Sequence, residues 1–274
     1  MARNDAEPEG AADGVTLEVR ETIALVTLNR PEVHNALNLA MWRRLRSVFQ
    51  RLSTTSGLRA VIIRGAGGRA FSAGADITEF RSARVGSQAA GVYNTTIASA
   101  LQAIHILPLP VIAMIEGLAV GGGCEIATAC DLRIAGHTAR FAIPIMRLGV
   151  ILGLVEAEAL VRLIGPAHAK DLLFTGRLIG ADEALRIGLV NRVVPDHELD
   201  QASWNLAKQI CQGAPLAAAA HKLALNGLVH GFGAAEAARL RQLTTEIYDG
   251  SDLLEGIAAF EERRDPLFTG QAHG

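Results

Sequence analysis

Three consecutive glycines followed by a lone carboxylate form the segment of the chain best suited to chemistry. Residues 119–131 read A-V-G-G-G-C-E-I-A-T-A-C-D, and Glu125 is the only charged residue before Asp131. A helix that begins within these glycines has unsatisfied backbone N–H groups at its first turn, where its dipole also adds partial positive charge. The segment therefore predicts a site that stabilises an oxygen acquiring negative charge.

The spacing of Gly122 and Glu125 predicts that the N–H donor and the carboxylate share one face of this helix, because residues three apart are neighbours there. Among apolar side chains the pKa of Glu125 should rise toward neutrality, since desolvation disfavours the charged form. Such a group suits proton transfer. A structural alternative stays open, in which Glu125 pairs with a basic residue such as Arg133 and the glycines only permit close helix packing.

The elements that must position this segment alternate between strands and helices. Two adjacent strands are predicted within residues 15–28, with a tight reversal at Glu21. Asn38 is predicted to cap a helix that runs to about Leu52, and another helix is predicted over residues 93–105. Short apolar runs predict further strands at residues 60–64, 111–115, 131–135, 139–143 and 189–194.

The chain has 274 residues, enough for one large core with an appendage. We predict an α/β fold in three parts. Residues 1–14 are a disordered lead-in, residues 15–197 form the core, and residues 198–274 form a C-terminal helical region. The amphipathic stretches of this last region are typical of helices that pack on each other or on a partner subunit.

Composition excludes several functional classes. With 26 basic and 28 acidic residues, the chain lacks the charge excess that attracts a protein to nucleic acid or to an anionic membrane. Its most apolar stretch is interrupted by prolines, glycines and charges, so no membrane span is predicted. The three cysteines have no zinc-site spacing, and the acidic start resembles neither a secretory signal nor a transit peptide. We therefore expect a cytoplasmic protein.

Motifs for several common chemistries are absent from the sequence. The chain contains neither a Walker phosphate loop nor the G-x-G-x-x-G dinucleotide fingerprint. It also lacks the G-x-S-x-G elbow of serine hydrolases and the H-E-x-x-H zinc helix. The sequence therefore contains none of the usual motifs for nucleotide hydrolysis, hydride transfer or these two hydrolytic chemistries.

Four segments in order carry a resemblance to a known family. In chain order they are N-R-P-E-V-H-N-A-L-N from Asn29, R-A-F-S-A-G-A-D-I-T-E-F from Arg69, the glycine segment described above, and L-I-G-A-D-E-A-L-R-I-G-L-V-N-R-V-V-P from Leu178. Over about residues 15–268 the chain resembles the crotonase family, also called the enoyl-CoA hydratase/isomerase family. The resemblance implies a crotonase-like spiral of β-β-α units with a C-terminal helical trimerisation region, assembled as a trimer or a dimer of trimers.

The resemblance also implies the substrate and the residues that meet it. The substrate is an acyl-CoA thioester, whose carbonyl lies between the backbone N–H groups of Ala75 and Gly122, beside Glu125 as the acid/base. Phe260 and Arg263, on the closing helix, match residues that meet the nucleotide end of coenzyme A, often across a subunit boundary. No metal or redox cofactor is implied, since coenzyme A is part of the substrate. The implied substrate-binding residues are Ala36, Leu37, Ala75, Asp76, Ile77, Thr78, Gly122, Ile145, Phe260 and Arg263.

The sequence departs from the family pattern at a second glutamate. Hydratases of the family carry one directly after the proline of a segment resembling F-G-x-P-E, whereas this chain has F-A-I-P-I and therefore Ile145. Glu156 and Glu158 are the candidates to replace it, and at most one can enter the pocket because residues two apart point in different directions. For both we expect a surface position at a helix start, where acidic residues complement the dipole.

Three functions stay open at this point. Hydration of a 2-enoyl-CoA is the default, with Glu125 serving as both base and acid. A one-carboxylate reaction, either double-bond isomerisation or decarboxylation, is the second, because neither reaction needs paired carboxylates. The third is a non-catalytic acyl-CoA-binding protein in which Glu125 only caps or pairs.

Overall fold

The computed structural model of the protein describes residues 14–270, so the lead-in predicted for residues 1–14 lies outside the described residues except for Gly14. Strands and helices alternate through most of this range. The strands are β1 (Val15–Arg20), β2 (Ile23–Leu28), β3 (Ala60–Gly65), β4 (Ala70–Ser72), β5 (Val111–Ile115), β6 (Leu118–Val120), β7 (Leu132–Gly136), β8 (Arg140–Ala142), β9 (Ile179–Gly180) and β10 (Arg192–Val194). The α-helices are α1 (Leu39–Leu52), α2 (Phe80–Ala83), α3 (Ser87–His105), α4 (Gly122–Ala129), α5 (Leu154–Thr175), α6 (Ala181–Arg186), α7 (Leu199–Cys211), α8 (Pro215–His230), α9 (Ala234–Tyr248) and α10 (Ser251–Glu262).

Two sheets organise the core. The larger has the strand order β1-β2-β3-β5-β7-β10, in which only the β1–β2 pair is antiparallel. The smaller has the order β4-β6-β8-β9, parallel except for its last pair. From β3 to β8, successive strands alternate between the two sheets. Helices α2 and α3 follow β4, α4 follows β6 and α5 follows β8. The chain thus repeats a β-β-α unit, which is the crotonase spiral predicted from the resemblance.

Both faces of the larger sheet are buried. In β3, Val61 and Ile63 belong to one apolar cluster and Ile62 to the other, because successive side chains of a strand point to opposite faces. The first cluster contains Trp42 of α1, and Leu199 of α7 belongs to the second. This two-sided burial explains why the strands appear in the sequence as continuous apolar runs.

The predicted elements near the chain start are confirmed. β1 and β2 pair in register from Val15 with Leu28 to Arg20 with Ile23, and Glu21 between them has φ 55°. Asn38 caps α1 through its side chain, which accepts a hydrogen bond from the Met41 N–H at 2.9 Å. This bond satisfies one of the donors that a helix start leaves unpaired.

The bounds of two predicted elements differ from the observed bounds by more than one residue. The helix predicted over residues 93–105 begins earlier, at Ser87. The strand predicted over residues 189–194 is confined to β10, because the N–H groups of Leu189 and Val190 both donate to the carbonyl of Ala184 and close the end of α6.

The helical tail is tied to the core by a partly buried ion pair. Nζ of Lys222 on α8 donates to Oδ2 of Asp131 at 2.7 Å and to the carbonyl of Leu109 at 3.0 Å. The same Asp131 oxygen accepts the Val111 N–H at 2.7 Å, at the start of β5. Burial raises the pKa of Asp131, and the Lys222 ammonium opposes that rise.

Within residues 14–270, no helix combines the length and apolar character needed to cross a membrane.

We predict that Lys222→Met lowers the free energy of unfolding by roughly 1–3 kcal/mol, because it leaves the partly buried Asp131 carboxylate without its cation. Chemical denaturation at pH 7 measures the change. Lys208→Met, on the exposed face of α7, is the matched control and should change stability by less than about 0.5 kcal/mol. Equal effects of the two substitutions would contradict a stabilising role for the pair.

Candidate active site

The loop that contains Ala75 is held against Leu37 by backbone hydrogen bonds. The Leu37 N–H donates to the Gly74 carbonyl at 2.7 Å, and the Asp76 N–H donates to the Leu37 carbonyl at 2.9 Å. Leu37 and Ala75 therefore form a parallel bridge. Since these bonds flank Ala75, its own N–H points to the opposite side of the loop. Ala75 lines a cavity.

Asn35 anchors this loop from below. Its buried side chain donates to the carbonyls of Ala66 at 2.9 Å and Ala70 at 2.8 Å. The Ser72 hydroxyl donates to the Asn35 carbonyl at 2.8 Å and accepts the Gly74 N–H at 3.2 Å. Residue types that can adopt positive φ suit position 35, where φ is 57°. The N-R-P-E-V-H-N-A-L segment thus fixes the path of the A-G-A-D segment.

The glycine segment forms the turn between β6 and α4. Gly121, with φ 50° and ψ −116°, has a backbone conformation that residues with a Cβ avoid, and its N–H donates to the Ala142 carbonyl at 2.8 Å. Gly122 is the first residue of α4, and no side chain caps this helix. The first helix-internal bond at this end runs from the Glu125 N–H to the Gly121 carbonyl at 2.9 Å. The Gly122 N–H therefore has no partner within its helix.

The two loops meet backbone against backbone. A Cβ atom at Gly74, where φ is 96°, would lie 2.7 Å from the Val120 carbonyl oxygen and 3.6 Å from Cα of Gly121. Only a glycine permits this approach. As a result, Ala75 and Gly122 line the same cavity, which has a volume of about 120 Å³.

Charged and apolar groups share the wall of this cavity. Its charged side chains are Glu125, Glu156 and Arg84. Among its other lining residues are Trp42, Ile77, Phe80, Ile97, Pro144, Ile145, Leu148, Ile151 and Leu152. The position at which family hydratases carry a second glutamate is thus an apolar part of the wall.

The pKa of Glu125 is raised to about 8, first because burial disfavours its charged form and then because the negative charge of Glu156 repels it. The Arg84 guanidinium acts in the opposite direction. The alternative in which Glu125 pairs with Arg133 is wrong. The Arg133 guanidinium instead donates to three backbone carbonyls, those of Leu189 at 2.9 Å, Ala127 at 3.3 Å and Cys130 at 2.7 Å.

The surface position expected for Glu156 is also wrong. Its side chain is buried, with 5% of the residue exposed, because α5 begins at Leu154 and directs its third residue toward the cavity. Burial raises the pKa of this carboxyl. Glu158, two positions later, is exposed and forms an ion pair with Arg162, so the surface position expected for it is confirmed. The two side chains do point in different directions.

The remaining predicted residues fall into two groups. Ala36, Leu37, Asp76 and Thr78 lie beside the cavity without lining it. Asp76 forms a 3.0 Å ion pair with Arg30 and accepts the Thr78 hydroxyl at 2.6 Å, and both contacts lower the pKa of its carboxyl. Within residues 14–270 there is no group of three or more His, Cys, Asp or Glu side chains placed to hold a metal ion.

Phe260 and Arg263 belong to the second group, since one chain does not bring them to the cavity. Phe260, on α10, is 85% exposed, and Arg263 is exposed where that helix ends. Their predicted contact with coenzyme A across a subunit boundary stays a prediction.

Arg84 is a cavity residue that the sequence analysis missed. Its guanidinium lies 5.0 Å from the ring centroid of Phe80 and 4.9 Å from that of Tyr93, and it donates to the Asn94 side chain at 3.0 Å. Stacking on two rings fixes a cation near the carboxylates. It lies between two helices in a segment without a recognisable motif, so no sequence signal identifies it.

Comparisons with known proteins agree with this geometry. Residues 18–271 match the family model described as enoyl-CoA hydratase/isomerase. The short-chain-enoyl-CoA hydratase of Clostridium acetobutylicum is 41% identical over 215 residues, which cover 78% of this chain and 81% of that protein. The chain belongs to the enoyl-CoA hydratase/isomerase family, whose members act on acyl-CoA thioesters.

Solved structures lead to the same fold. The crystal structure of an enoyl-CoA hydratase/carnithine racemase from Magnetospirillum magneticum superimposes with a TM-score of 0.88 at 40% identity, covering 94% of this chain and 96% of that one. An enoyl-CoA hydratase from Bacillus anthracis gives a TM-score of 0.87 at 33% identity, covering 94% of this chain and all (100%) of that one. The fold is therefore the crotonase fold.

The raised pKa of Glu125 predicts a pH-dependent stability. Between its usual value of 4.5 and its folded value of about 8, the folded state retains a proton that the unfolded state releases. The free energy of unfolding therefore falls as pH rises through this window. Glu125→Gln removes this loss, so we expect the variant to gain roughly 1–3 kcal/mol over the wild type between pH 5 and pH 8.5.

Denaturant unfolding at pH 5, 7 and 8.5 measures this difference. Glu158→Gln, on the exposed side of α5, is the control and should follow the wild type within about 0.5 kcal/mol at each pH. A constant offset between Glu125→Gln and the wild type across the range would contradict the shifted pKa.

Proposed function

We propose that this protein adds water to the double bond of a 2-enoyl-CoA, a lyase reaction. The observation that carries the proposal is one cavity lined by Ala75, Gly122 and Glu125, in which the pKa of the carboxyl is about 8. The names of the relatives support the proposal, since proteins of Clostridium acetobutylicum and Bacillus anthracis are called enoyl-CoA hydratases.

In the proposed reaction, the N–H groups of Ala75 and Gly122 form an oxyanion hole for the thioester oxygen. As water attacks the β-carbon, electrons move to this oxygen, and each donor stabilises the resulting charge by ~3 kcal/mol. The dipole of α4 adds to the effect at Gly122. Glu125 lies one helical turn from that donor and transfers a proton beside it.

The proposal includes an assembly, a location and a requirement. We propose a trimer or a dimer of trimers built through the C-terminal helices, supported by four apolar residues that α10 exposes. In such an assembly Phe260 and Arg263 would meet the coenzyme A of a neighbouring subunit. We further propose a cytoplasmic enzyme that needs no metal or redox cofactor, since the Glu125 carboxyl can serve as both base and acid. The four apolar residues that α10 exposes are Leu253, Leu254, Ile257 and Phe260.

Ile145 favours a second candidate function. An apolar side chain lines the cavity where family hydratases have a glutamate. Glu125 acting alone would suit a double-bond isomerisation, and the oxyanion hole alone would suit a decarboxylation. An acyl-CoA-binding protein without turnover is the remaining alternative. These functions differ from hydration in their products, so one assay with several thioesters separates them.

We predict that the wild type consumes a conjugated 2-enoyl-CoA and that Glu125→Gln lowers kcat by roughly 10²–10⁴-fold, because a neutral amide cannot exchange a proton. The ultraviolet absorbance of short and long 2-enoyl-CoA thioesters follows the reaction, and mass spectrometry detects the gain of one water. Glu158→Gln is the matched control and should retain the wild-type rate within about 2-fold.

Other products would overturn the proposal. Binding of the 2-enoyl-CoA without loss of absorbance would exclude hydration, and 3-enoyl and malonyl-type thioesters would then test isomerisation and decarboxylation. Binding of all these thioesters without turnover would leave only the acyl-CoA-binding function.

A further inference from the structure

Glu156 is a buried carboxyl that the proposed reaction has not yet used. It lines the same cavity as Glu125. Its Oε2 atom is buried and has no hydrogen-bond partner among the described residues. Burying an unpaired polar oxygen costs free energy, so this arrangement calls for an explanation beyond packing.

The start of α5 gives this side chain its direction. Gly153 is the N-cap residue of α5, and Glu156 follows it by three positions. A Cβ atom built at Gly153 would collide with Oε2 of Glu156, so the carboxyl occupies space that only a glycine leaves open. Gly153 itself lines the cavity. The carboxyl therefore folds back along the cavity wall.

A helix-capping role explains only part of the arrangement. Burial raises the pKa of the Glu156 carboxyl, and this effect is larger than the opposing influence of the backbone N–H of Glu156 itself. A carboxylate that only complemented the helix dipole would be better solvated at the surface, as Glu158 is. Capping therefore accounts neither for the burial of this carboxyl nor for its unpartnered Oε2 atom.

We propose that Glu156 is the second acid/base group of the reaction and forms a working pair with Glu125, replacing the carboxylate that the chain lacks at Ile145. The catalytic part of this inference rests on the proposed hydration. The pairing of the two carboxyls stands on the shared cavity alone.

Two like charges in one apolar cavity favour a pair that holds one proton near neutral pH. The charge of Glu156 raises the pKa of Glu125, and Arg84 opposes the rise at both carboxyls. Cys124, beside Glu125 on α4, has its own pKa raised to about 12 and stays neutral. With one guanidinium facing two carboxyls, a single ionised carboxylate balances the charge.

This protonation state suits the addition of water. The ionised carboxyl takes a proton from water as the water oxygen bonds to the β-carbon, and the double-bond electrons move to the thioester oxygen. The protonated carboxyl then gives its proton to the α-carbon, and the electron pair returns from the oxygen to form that bond. One water has been added, and the pair still holds one proton, now on the other carboxyl.

The first test measures the pair without relying on turnover. The infrared band of a protonated carboxyl, assigned to Glu125 by its loss in Glu125→Gln, is followed against pH. Glu156→Gln should lower the midpoint of this band by about one pH unit or more, because it removes a like charge. Glu158→Gln should leave the midpoint unchanged. A midpoint that Glu156→Gln does not move would overturn the pair.

The second test measures the catalytic role. In folded variants that bind saturated butyryl-CoA within about 3-fold of the wild type, Glu156→Gln should lower the hydration kcat by roughly 10²-fold or more, and Glu158→Gln by less than about 2-fold. Glu156→Leu is measured alongside, so the result does not depend on the folding of one variant.

The outcomes separate the two proposals. A Glu156→Gln enzyme that hydrates within about 3-fold of the wild type would overturn the catalytic role of Glu156 and leave hydration standing. A wild type that adds no water to any 2-enoyl-CoA would overturn the proposed function and the step assigned to Glu156, while the infrared titration would still decide whether the carboxyls are paired.

Discussion

The close contact between two backbone loops is the constraint on which the site depends. Gly74 approaches the carbonyl of Val120 so closely that any Cβ would collide with it, and Gly121 turns the chain directly into α4. This contact brings the Ala75 and Gly122 segments, which belong to successive turns of the spiral, to one cavity. Asn35 supports it from the other side, through bonds that a smaller apolar residue could not make.

The same packing creates the electrostatics of the cavity. Apolar walls deprive Glu125 and Glu156 of water, so burial raises the pKa of both carboxyls. Arg84, stacked on two rings, is the nearby positive charge. A low-dielectric setting costs stability, yet it strengthens every charge interaction in the cavity. Carboxyl groups with pKa values shifted in this way are typical of functional sites.

Much of the fold could be predicted from the sequence because its signals are local. Apolar runs marked the strands of a sheet buried on both faces, and Asn38 marked the start of α1 through a bond to a residue three positions away. The order of four segments identified the family and its spiral. Where the bounds differed, as at Leu189 and Val190, a hydrogen bond closing the preceding helix prevailed over strand propensity.

The sequence by itself identified the glycine segment, Glu125 as its lone carboxylate, and the replacement of a family glutamate by Ile145. Only the tertiary structure decided which charges meet. In the folded chain Arg133 donates hydrogen bonds to backbone carbonyls, and Arg84 lines the cavity. It turned Glu156 inward and Glu158 outward. The physical reason is that the direction of a helical side chain depends on where the helix begins and on what it packs against, and long-range contacts between turns of the spiral set both.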